Sequence, residues 1–222
     1  MYFQFLIEDK STEILVNHIM EKIKEMYPDI FIDFNIKSFN GIGHLSTHGS
    51  LQERKGSGLL NNLPLYLRGF DRSLAQMPQA VIVVVLDNDK RDCTEFQNAL
   101  DKIAKESVQL IDWVVCIAVK EMEAWLLGDE NAITSAYPNA KKKYLKAYEQ
   151  DGICDTWEVL ANMLYPGGLA ALKKKSKNSY SVTGSAKCEW ADKIGKELNL
   201  ECNLSPSFNR FLRSLQLRID AA

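Results

Sequence analysis

A chain of 222 residues with 46% hydrophobic and 25% charged side chains suits one substantial globular core, or one core with a helical appendage, and its net charge of −2 advertises no polyanionic partner for the molecule as a whole. No apolar run approaches the ~20 residues of a membrane span, and Met1-Tyr2-Phe3-Gln4 has neither the basic flank nor the small residues of a signal peptide. Five scattered cysteines form neither a disulfide framework nor a C-x-x-C pair, so the expected setting is a reducing cytoplasm.

Tyr2 to Ile7 reads as a strand that stops at Glu8-Asp9-Lys10-Ser11, and Ile14, Leu15, His18, Ile19, Ile23 and Met26 follow at helical spacing, with Ser11 or Thr12 as the N-cap. Ile30 to Ile36 alternates as a strand with one buried face. Asn40 to Gly58 is a long Gly/Ser-rich loop holding His44, His48 and Lys55. Leu59 to Met77 is amphipathic, with Pro64 placed to start a second helical piece. Ala80 to Leu86 is β-branched and apolar on both faces, as a central parallel strand is. Asp87-Asn88-Asp89 ends it, and a helix runs from about Cys93 to Lys105. Trp113 to Val119 repeats the pattern, followed by Lys120-Glu121-Met122-Glu123 and a helix carrying Ala124, Trp125 and Leu126. Beyond Glu130 the chain reads as helical and lysine-rich, broken at Pro166-Gly167-Gly168, with Asn178 to Ser185 as a polar loop and a last helix capped at Ser205.

The alternation predicts an α/β fold, a mostly parallel sheet sandwiched by helices. The expected division is a core over residues 1–130 and a mainly helical C-terminal extension, 131–222, packed on it. Ligands of such sheets bind outside the carboxyl ends of the strands. Three strands end there in acids: Glu8, Asp87 with Asp89, and Glu121 with Glu123. Their mutual repulsion calls for a cation, and oxygen ligands suit Mg²⁺ or Mn²⁺. Alone, the D-x-D is equally a solvated turn with an Asx cap. Glu8 serves as base or ligand. Glu121 and Glu123 face one way on an extended segment and diverge by roughly 200° on a helix, so spacing does not choose between them. His44 and His48 would share a helix face as a zinc pair, but the glycines and serines around them argue against that helix. From Pro138 onward 14 Lys+Arg face 9 Asp+Glu, against 13 and 20 before it. This fits an acidic half for metal and a basic half for phosphates, or ordinary solvated helix faces.

Phe-Leu-Ile-Glu8-Asp-Lys-Ser11, Lys55-Gly56-x-Gly58, Leu63-Pro-x-x-Leu-Arg68-Gly, Asp87-Asn-Asp89-Lys-Arg91-Asp92-Cys93, Glu121-Met-Glu123-Ala-Trp125 and Ser205-Pro-Ser-Phe208 occur in this order along nearly the whole chain. The set resembles a bacterial Toprim-related family of poorly defined function, similar to the Toprim nuclease part of overcoming-lysogenisation-defect (OLD) proteins. It departs from the pattern at Asp9, where many Toprim domains have glycine. The resemblance implies a Toprim-like fold and Mg²⁺-dependent phosphodiester chemistry, with Glu8, Asp87 and Asp89 as catalytic and metal-binding residues. It favours Glu123 over Glu121 as the further acid. It also implies an anti-phage role with an ATPase partner. Lys10, Lys55, Arg68 and Arg91 are the candidates to hold a DNA or RNA backbone. The leading expectation is a metal-dependent nuclease. The alternative is a non-catalytic sensor or regulatory subunit that docks on an ATPase, through exposed apolar residues such as Trp157 or Trp190.

Overall fold

The computed structural model describes residues 1–44, 58–177 and 180–222. Its apolar, β-branched runs form four strands: β1 (Tyr2–Ile7), β2 (Asp33–Ser38), β3 (Ala80–Asp87) and β4 (Asp112–Ala118). They make one all-parallel sheet in the order β2-β1-β3-β4. The two central strands are buried almost throughout, because helices cover both faces.

Strand side chains alternate between two cores. Leu6, Ile82, Val84, Leu86, Val115 and Ile117 pack under a short 3₁₀ turn (Leu59–Asn61), α2 (Leu63–Ser73) and α3 (Cys93–Ser107). Phe3, Phe5, Ile7, Val81, Val83 and Val85 point to the other face. There they meet α1 (Lys10–Met26), and this core continues through α4 (Glu123–Leu127), α5 (Glu130–Ala136), α7 (Thr156–Leu164), α8 (Gly168–Ser176), α9 (Tyr180–Glu197) and α10 (Pro206–Ile219). A short α6 (Lys143–Lys146) sits between α5 and α7. The C-terminal helices therefore share one core with the sheet. Trp125 of α4 stacks on Phe211 of α10 at 4.8 Å and meets Phe208 edge-on at 5.8 Å, while its Nε1 donates to Ser207 Oγ at 2.9 Å. Among the described residues no helix is long and apolar enough to cross a membrane.

Four sequence expectations are corrected. The N-cap of α1 is Asp9, whose Oδ1 accepts from Thr12 N at 2.8 Å, and Ser11 and Thr12 are buried in the first turn. The strand expected from Ile30 starts at Asp33, because Ile30 N still closes a turn onto Tyr27 O. The polar stretch expected as a loop is helical from Tyr180 onward. Its helix lies against α1, and Gly195 permits the approach: a Cβ there would stand 2.9 Å from the His18 ring and 3.3 Å from Leu15. Trp190 on the same helix is buried, so it cannot serve as a docking residue. Trp157 is half-buried with Lys173 over its ring.

Candidate functional site

The connection from β1 to β2 runs to one side of β1, whereas β3 and β4 lie on the other, with α1 and α3 on opposite faces. The strand order thus reverses between β1 and β3, and open parallel sheets place their ligand crevice at such a switch point. Glu8 and Asp87 stand at its two lips. The Glu8 Oε2 accepts the Asp87 backbone N–H at 3.2 Å, which joins the two strand ends directly.

Asn88, between the two aspartates, is buried and turned inward. Its side chain accepts from Lys120 N at 2.6 Å and donates to Arg91 O at 3.0 Å, and its own N–H reaches Ala118 O at 3.3 Å. Asn88 therefore rivets the end of β3 to the end of β4. The chain then turns through Asp89, which takes a left-handed backbone conformation (φ 49°) that aspartate tolerates better than most residues. Its N–H reaches Lys120 O at 2.9 Å, and its half-exposed carboxylate pairs with Arg91 at 3.0 Å. Asp87 lies inside the site and Asp89 at its rim.

Glu121 and Glu123 separate as divergent neighbours do. Glu121 turns away and caps α7, accepting from Thr156 Oγ1 at 2.7 Å and Trp157 N at 3.3 Å. The residue in the ordinary cap position, Asp155, has a left-handed backbone and makes no cap bond, so Glu121 fills that role from outside the helix. Glu123 opens α4 and points inward. It is 1% exposed, and among the described residues neither carboxylate oxygen has a well-formed hydrogen bond. Lys187 Nζ of α9 lies 3.1 Å from Glu123 Oε1 as an ion pair.

The electrostatics identify these groups as one cluster. Burial raises the Glu8 pKa to about 7; the Asp87 N–H opposes this, the charges of Asp9 and Asp89 add to it, and Lys187 opposes it. Asp87 is pushed well above the usual aspartate range by burial first, then by Glu8 and Glu123. Glu123 is raised by burial, with Lys187 pulling it back. For Lys187 burial acts to lower the pKa, but Glu123, Asp87 and Glu121 outweigh it and the ammonium is held more firmly.

Of the proposed phosphate-facing residues, Lys10 opens α1 beside Asp9 and is exposed, paired with Glu13. Arg91 is exposed, paired with Asp89 and lying over the Phe96 ring at 5.0 Å. Arg68 lies elsewhere, half-buried on α2 one turn before Asp71, whose carboxylate accepts from Leu110 N and Ile111 N at the opposite end of the sheet. Lys55 and His48 lie outside the described residues; His44 is exposed. Lys187 is the member that sequence reasoning missed. It is a lone lysine in a polar stretch, and only the packing of α9 on α1 brings it to the acids.

Among the described residues no three His, Cys, Asp or Glu side chains converge closely enough, as they stand, to hold a metal ion. The donor set nevertheless suits a hard divalent cation. Glu8, Asp87 and Glu123 offer only oxygens, all three are pushed toward protonation by burial, and among the described residues neither oxygen of Glu123 has a well-formed hydrogen bond.

Fold and site together define a parallel α/β protein with a buried carboxylate cluster at its switch point. The family model described as a domain of unknown function, DUF4276, matches residues 7–216, and the chain belongs to that family. No curated protein and no solved structure matches the chain.

Proposed function

We propose that this protein is a metal-dependent phosphodiesterase of Toprim type, a nuclease acting on DNA or RNA, which works with an ATPase partner in anti-phage defence. The observation that carries the reading is the grouping of Glu8, Asp87 and Glu123 at the switch point, with both Glu123 oxygens buried and, among the described residues, without a well-formed hydrogen bond. Mg²⁺ or Mn²⁺ held by Glu8, Asp87 and Glu123, with Asp89 at the rim, would supply charge for the phosphate oxygens and acidify a water molecule. Glu8, whose pKa of about 7 belongs to the metal-free site, would accept a proton near neutral pH only when it is not itself a ligand. Lys10 and Arg91 flank the cluster from exposed positions where a phosphate backbone has access.

Cleavage of duplex DNA, single-stranded DNA and transfer RNA, with and without Mg²⁺ or Mn²⁺, tests the proposal. The wild type should cut at least one substrate only with metal, and the Asp87→Ala/Asp89→Ala variant none. Identical behaviour of the two proteins on every substrate overturns it. One observation favours the second reading, a non-catalytic Toprim-like subunit on a partner ATPase: Lys187 already balances part of the cluster's charge. Co-purification with an ATPase, together with inactivity of the isolated protein in all metals, would select it.

A further inference from the structure

Glu123 and Lys187 form an unusual pair. Glu123 is 1% exposed and has no well-formed hydrogen bond among the described residues, whereas the Lys187 side chain keeps 22% of its surface open. A buried carboxylate either takes up a proton or stands beside a cation, and Lys187 supplies the cation here. Lysine brings a point charge on a flexible four-carbon stem, without the planar fork by which arginine locks both carboxylate oxygens. The contact accordingly supplies charge without fixing orientation.

We propose that Lys187 is a positioning residue that stands in for a divalent metal: in the metal-free protein its ammonium occupies the cation's place beside Glu123, and an arriving cation takes Glu123 over. This inference rests on the reading of the cluster as a metal site. Lys187 is then a competitor as well as a support. Removing it should weaken the metal-free fold and strengthen metal binding, two effects of opposite sign. A purely structural lysine would produce only the first.

The test measures thermal melting and Mn²⁺ titration calorimetry on the full chain as wild type, Lys187→Met, Lys187→Arg and Lys187→Met/Glu123→Gln. Lys187→Met should melt lower than the wild type without metal, and its melting point should rise further on adding Mn²⁺. Its Mn²⁺ dissociation constant should be lower by on the order of tenfold, from the lost repulsion between a single and a double charge a few ångströms apart. Lys187→Arg should keep the metal-free stability. The double variant should recover it, since no buried charge is left unpaired, and should respond less to Mn²⁺. Equal Mn²⁺ affinity and equal melting shifts in the wild type and Lys187→Met overturn the inference and leave the metal site standing. A Lys187→Met protein that stays unfolded even in Mn²⁺, beside a folded double variant, also overturns it. Absence of any Mn²⁺ response in the wild type and every variant overturns the metal reading itself, and this inference with it.

Discussion

Burial holds the Glu8 carboxyl at about pH 7, and this governs how the protein answers to acid. In the unfolded chain a glutamate titrates near 4.3. The folded pKa is raised, so the folded state binds more protons between the two values. The contribution of Glu8 to stability is therefore fully favourable below about pH 4.3 and is lost as pH rises through 7, a change on the order of 3 kcal/mol. Glu8→Gln should stabilise the metal-free protein relative to the wild type more at pH 8 than at pH 5, by urea midpoint. An equal effect at both values would refute the assignment. Metal binding runs the other way, because ligands must be deprotonated: wild-type Mn²⁺ affinity should climb between pH 6 and 8. Asp9 carries a different prediction. It caps α1, so Asp9→Ala should cost about 1 kcal/mol while Asp9→Asn costs a few tenths. The acids themselves were legible in the sequence, since each follows a strongly apolar strand. Their individual roles were not, because whether a carboxylate caps a helix, rims the site or lies buried is decided by neighbours distant in the chain.

Strands and helices differ in how far their residues announce them. Tyr2–Ile7, Ala80–Asp87 and Asp112–Ala118 are rich in β-branched and aromatic residues, and each lies within one residue of where the pattern put it. Helix α9 opens on Tyr-Ser-Val-Thr-Gly-Ser, a composition that favours turns, and it is helical because Trp190, Ala191 and Ile194 are buried in the shared core. That tertiary origin is also why Lys187 escaped notice. The coupling of α7 to the site is equally non-local. Glu121→Ala removes the bonds to Thr156 and Trp157 and should cost about 1–2 kcal/mol. Metal-dependent cleavage should survive in Glu121→Ala far better than in Asp87→Ala. Comparable losses in the two variants would move Glu121 into the reacting site.

At the level of the whole molecule, the sequence division at residue 130 corresponds to a change from alternating strands and helices to helices alone, but the core does not observe it. Trp125 lies before the division and Phe208 and Phe211 after it. A fragment of residues 1–130 should consequently show no cooperative melting by calorimetry, and a cooperative transition would mean that the sheet folds without its C-terminal cover. The sheet also ends deliberately at β4. Gln97 Nε2 reaches Val115 O at 3.2 Å and Arg218 reaches Trp113 O at 3.1 Å, so two outward carbonyls of this edge strand already have side-chain partners. Such plugging discourages further strands from adding to the sheet.

The pairing of Glu123 with Lys187 also bears on how the protein is made. A ribosome releases Glu8, then Asp87, then Glu123, and delivers their counter-ion several seconds later, at roughly 5–20 residues per second. Until α9 emerges, a nascent chain that had already closed its sheet would hold three crowded acids with no lysine among them. The energetically open course is for the crevice to stay wet, or its acids protonated, until α9 arrives. The carboxyl ends of the strands then close only after α9 has emerged, although Glu8, Asp87 and Glu123 all precede it in the chain.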